Sequence, residues 1–89
     1  MSSMRLAFSS DRPRPLSSLA VDERAVVADV HADDAGRAER LLSLGVTPGA
    51  AVTMLQTFPG VVFLCDQTEL AVERSVAHAI LVRREERQT

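Results

Sequence analysis

The chain has 89 residues, 46% of them hydrophobic and 25% charged, with a formal net charge of −2. That length supports one domain at most. A near-neutral chain whose only rings are Phe8, Phe58 and Phe63, apart from two histidines, lacks both the basic field and the stacking platform of a nucleic-acid binder.

Residues 1–14 mix Ser, Arg and Pro without sustained periodicity and read as an N-terminal tail. The first apolar stretch is cut short by Ser9, Asp11 and Arg12, so it does not read as a signal peptide. No apolar run approaches the roughly 20 residues of a membrane span. The single cysteine, Cys65, excludes an internal disulfide framework and fits a reducing compartment, so a cytoplasmic location is expected. The domain is expected to span residues 15–82, followed by a charged tail at 83–89.

Leu16 and Leu19 suit a single helical turn. Ala25 to His31 alternates, with Val26, Ala28 and Val30 on one face and Val27, Asp29 and His31 on the other, which predicts a half-buried strand. Asp33 or Asp34 can cap a helix starting near Ala35. On that helix Ala38, Leu41 and Leu42 form the face expected to be buried, with Arg37, Arg40 and Leu44 as a second stripe beside it.

"RLLSLGVTPGAAV", Arg40 to Val52, carries the strongest local signals. Gly45 follows the helix where a left-handed C-cap is expected, and Thr47-Pro48-Gly49-Ala50 has the Pro-Gly centre of a type II turn. Ala51–Gln56, Val61–Cys65, Thr68–Val72 and Ala79–Val82 read as further strands. Asp66-Gln67 forms a hairpin between the third and fourth strands, and "ERSVA" reads as a short turn or one turn of 3₁₀ helix. Five short strands with one helix between the first and second leave no room for parallel crossovers. A mainly β, small antiparallel barrel follows, because closing the sheet removes most of its edges.

The segments "PLSSL", "AVVADV", "RLLSLGVTPGAAV" and "ELAVERSVAHAILV", in this order from Pro15 to Val82, resemble the FeoA family. These are small cytosolic proteins of bacterial ferrous iron uptake with an SH3-like barrel. The resemblance implies a non-enzymatic accessory that binds the cytoplasmic GTP-binding domain of a FeoB-type membrane permease. The same barrel occurs in iron-dependent repressors, so the alternatives are an SH3-like regulatory module in transcription or a weak direct binder of transition-metal ions.

The residues themselves point to little chemistry. No nucleophile elbow and no phosphate-binding loop is present, so neither catalysis nor a cofactor is expected. His31, Asp33, Cys65 and His78 are weak metal-ligand candidates, lacking the short spacings of transition-metal sites. Cys65 ends an apolar strand and reads as a core residue. A partly exposed leucine beside two arginines has the composition of a modest interface, which makes Arg37, Arg40 and Leu44 the candidate partner surface. Gly45, Pro48 and Gly49 are expected to be structural. Direct membrane insertion is not expected, and weak self-association is left open.

Overall fold

A computed structural model describes residues 12–31 and 35–85. The strands are β1 (Arg14–Pro15), β2 (Arg24–Val30), β3 (Ala51–Gln56), β4 (Val61–Cys65), β5 (Thr68–Val72) and β6 (Ile80–Arg84). Helix α1 (Ala35–Ser43) joins β2 to β3, helix α2 (Arg74–Ala79) joins β5 to β6, and a 3₁₀ turn covers Leu16–Ser18. All strand pairs are antiparallel, in the order β1-β6-β2-β3-β4-β5. The fold is mainly β, as the sequence predicts. No helix among the described residues is long and apolar enough to cross a membrane.

Three features differ from expectation. The sheet has six strands, because Arg14–Pro15 pairs with Leu81 and Val82 of β6. It is also open: among the described residues β1 and β5 do not pair, and the core is closed by helical pieces instead of hydrogen bonds. Leu16 and Leu19 beside the 3₁₀ turn, Leu41 of α1 and Ala77 of α2 all enter the buried cluster built on Met54, Phe63, Ile80 and Val82. Finally, "ERSVA" is more than a short turn or a single 3₁₀ turn: Glu73 is the N-cap and the other four residues open the six-residue α-helix α2.

Strand β2 shows why simple alternation misplaced its faces. Ala25 and Val27 are buried, whereas Val26 and Ala28 are only half-buried. The register then shifts between Val27 and Asp29. The extra residue of such a bulge reverses the inward-outward parity, so Val30 returns to pack on the core and Asp29 faces solvent.

The connection from α1 to β3 satisfies its own backbone. The Val46 N–H donates to Leu41 O at 3.0 Å and the Gly45 N–H to Leu42 O at 3.0 Å. This pair of bonds is a Schellman cap, with Gly45 at φ 97°. Its companion apolar positions, Leu41 and Val46, are both buried. Next, the Ala50 N–H closes the turn onto Thr47 O at 3.0 Å, with Gly49 also at φ 97°. Asp66, at φ 56°, opens the β4–β5 hairpin. Its N–H donates to Ala51 O at 2.8 Å while its Oδ1 accepts the Ala51 N–H at 3.2 Å, fastening the hairpin tip to the start of β3.

Candidate functional site: a groove between α1 and β5

Helix α1 is short and built mainly from Ala, Arg, Glu and Leu, which lose little side-chain freedom in a helix. Arg40 lies in its last turn, where a cation suits the negative end of the helix dipole. Leu41 is buried and Ala38 half-buried, but Leu42 is 47% exposed, which corrects the expected face. The stripe Arg37, Leu41, Leu44 lies toward β5. Leu44 remains 45% exposed.

Across from this stripe stand Ala71, Val72 and Glu73 at the end of β5, and Val76 of α2. With Arg37, Arg40, Leu41 and Leu44 they enclose an open groove of about 340 Å³. Its floor is apolar, since Val72 and Val76 pack on the core. Its rim carries two guanidinium groups that form no ion pair among the described residues. Glu39 lies on the other flank of α1, on a shallow surface with Gly36, Ser43 and Arg40, and forms no ion pair with Arg40 among the described residues.

The residues of the far wall were not predicted from sequence. For Val76 a signal was present, since Val76 and Ala77 sit in a short helical stretch that a turn reading of "ERSVA" masks.

The weak metal candidates do not converge. His31 is exposed, and its Nε2 lies 2.9 Å from Asp29 Oδ2. The Val30 N–H, and secondarily His31, hold the Asp29 carboxyl below its ordinary pKa. Asp33 lies outside the described residues. The His31 N–H donates to Ala79 O at 2.7 Å, which brings the His31 backbone beside α2. His78 on that helix instead has Nδ1 3.4 Å from Ser17 Oγ. Cys65 is buried, its Sγ 3.5 Å from Gly45 O. Burial, followed by the charge of Asp66, pushes its thiol pKa up, disfavouring the thiolate that a metal or an electrophile would need. Among the described residues no group of three His, Cys, Asp or Glu side chains is placed to hold a metal ion.

Comparison with known proteins places this architecture. No curated protein matches the chain significantly. Among solved structures, FeoA of Chlorobium tepidum is 33% identical over 79% of this chain and 69% of its own, with a TM-score of 0.72. FeoA of Stenotrophomonas maltophilia in complex with zinc is 32% identical over 76% of this chain and 87% of its own, with a TM-score of 0.68. That protein is described as a prokaryotic SH3 domain protein and proposed as a ferrous iron transport activating factor. A manganese-dependent transcriptional repressor shares the fold at 18% identity and a TM-score of 0.77, matching 84% of this chain but 43% of the repressor. The FeoA domain profile matches residues 14–84, and so the chain, with its SH3-like sheet, belongs to the FeoA family.

Proposed function

We propose that this protein is a non-enzymatic accessory of ferrous iron uptake, and that its groove binds the cytoplasmic GTP-binding domain of a FeoB-type permease. Family membership supports the process. The observation that carries the docking site is the meeting, over an apolar floor, of exposed Leu44 with Arg37 and Arg40, which form no ion pair among the described residues. Arg-rimmed apolar patches of this kind are enriched at interfaces. The protein acts by binding one conformational state of its partner better than another.

The test is calorimetric titration of the purified GTP-binding domain with the parent chain and with the double variant Arg37→Glu, Arg40→Glu. The variant is expected to fold as the parent does and to bind more weakly, with the larger loss at low ionic strength. Equal binding by a folded double variant at low salt would move the partner surface elsewhere.

The fold shared with metal-dependent repressors favours a second reading, an SH3-like regulatory module in iron-dependent transcription. A third is weak direct binding of transition-metal ions, favoured by the zinc complex of the Stenotrophomonas maltophilia protein. Anaerobic titration with ferrous iron separates it from the first. We expect no one-to-one site tighter than about micromolar, since no ligand set is assembled among the described residues.

A further inference from the structure

We propose that the groove is occupied by an extended acidic segment of the partner protein, which adds to the outer edge of β5 as a further strand. This proposal rests on the same site as the function above and specifies how that site would engage its partner.

The β4–β5 pairing defines which backbone groups are available. A two-residue turn, Asp66-Gln67, joins Cys65 to Thr68, so these two form the hydrogen-bonded pair that closes the hairpin. In an antiparallel ladder hydrogen-bonded and non-hydrogen-bonded pairs alternate. Phe63↔Leu70 and Val61↔Val72 are therefore bonded pairs, whereas Leu64↔Glu69 and Val62↔Ala71 are not. The N–H and C=O groups of Glu69 and Ala71 consequently point away from β4. Among the described residues no strand pairs with that edge, and both residues are exposed. Unpaired strand edges recruit extended chains through these groups.

Ala71 also lines the groove, so this free edge borders the same opening as Arg37 and Arg40. A strand laid there would present successive side chains to opposite faces. One set meets Leu41, Leu44 and Val76, and is best apolar. The other set meets the two guanidinium groups, whose fork geometry matches carboxylates. Glu73 lies on the β5 side and repels a carboxylate there, so the acids of the occupant belong on the α1 side.

The proposal is tested with the full chain, a short synthetic peptide alternating glutamate and valine, and its lysine-valine counterpart. Amide hydrogen exchange is read residue by residue. Binding of the acidic peptide should protect the Glu69 and Ala71 amides. The lysine peptide should bind at least about tenfold more weakly, and Ala71→Pro should cost about tenfold in affinity. Proline at this outward position removes a free donor without removing a bond to β4, so the melting temperature checks that the fold is kept. If Ala71→Pro unfolds the chain, the exchange data on the parent still decide the matter. Absence of protection at both amides, or equal binding of the two peptides, overturns strand addition. Competition with the permease domain separates the two readings. If the domain binds the parent but neither competes with the peptide nor protects β5, strand addition by the partner is overturned while partner binding survives. A peptide that protects β5 while the domain does not bind at all supports the edge site and overturns the permease reading.

Discussion

At one edge of the sheet β1 contributes two residues, one of them proline, whereas at the other β5 runs for five residues with no proline. The β1 edge is short, its Pro15 has no N–H to offer, and the neighbouring Leu16 is fully buried. Arg14 and Glu23 add an ion pair across its flank. These are standard devices for blunting an edge. The β5 edge is longer, has no proline and forms no ion pair among the described residues, its one charge being exposed Glu69, and it faces the groove of α1. The difference teaches that edge protection is local here: one side is sealed, and the other is left able to pair.

The sharpest way to break the comparison is to unseat the sealed edge. Leu16→Ala should cost about 2–5 kcal/mol, because it leaves a cavity where the 3₁₀ turn meets the core. Urea unfolding measures this; a loss below about 0.5 kcal/mol, the range of ordinary surface changes, would show that β1 is not anchored by that side chain.

Next in size is the unit that holds α1 opposite β5. A Cβ on Gly45 or Gly49 would meet nothing within 4 Å, so substitution costs only backbone strain at φ 97°. Gly45→Val and Gly49→Val should each lose about 1–3 kcal/mol by thermal melting. Unchanged melting in both would contradict the turn geometry.

A smaller effect comes from Cys65, next to the tip of the hairpin that leads to the open edge. Its pKa is raised in the folded state, so the native protein holds the thiol proton more tightly than the unfolded chain. Its contribution is fully present below the unfolded pKa, near about 8.5, and is lost as pH rises above that value. Stability should decline there in the parent and less so in Cys65→Ala, with each chain measured against its own value at pH 7. Equal declines would show that the site is not desolvated.

The smallest effect is at the sealed edge itself. Arg14→Ala should change stability by no more than about 1 kcal/mol, because the pair with Glu23 is partly exposed. The Glu23 pKa is lowered, first by the Ala20 N–H and further by Arg14. Its contribution is therefore present above the ordinary carboxylate range and is lost as pH falls through its lowered value. The difference between Arg14→Ala and the parent should shrink in acid; a difference that persists at pH 2 would have another origin.

The legible parts of this molecule are those governed by a few adjacent residues. Gly45, Pro48 and Gly49 announce a cap and a turn because backbone conformation there depends on the residues themselves. The spacing of Ala38, Leu41 and Leu42 likewise announces a helix. What the sequence concealed depends on distant partners. Leu42 and Leu41 are equally apolar, and only the position of β5 decides which is buried. The bulge at Val27/Asp29 exists relative to β6, so alternation within β2 cannot reveal it. Half of the groove was legible as an Arg-Leu stripe on α1. The other half comes from β5 and α2, which the topology brings across from a stretch of chain about 30 residues later.

The fastening of Asp66 to Ala51 bears on how this protein can be engineered. Hairpin tips are usually chosen for inserting a reporter or an epitope, because exposed connections tolerate extra length. The Asp66-Gln67 tip is a poor choice. The Asp66 N–H and Oδ1 both bond the Ala51 backbone and hold the register of β3 at the residue next to the type II turn, and that turn in turn orients α1. An insertion there would displace the helix wall of the groove from a distance, and a loss of partner binding would be misread as steric blockage by the inserted sequence.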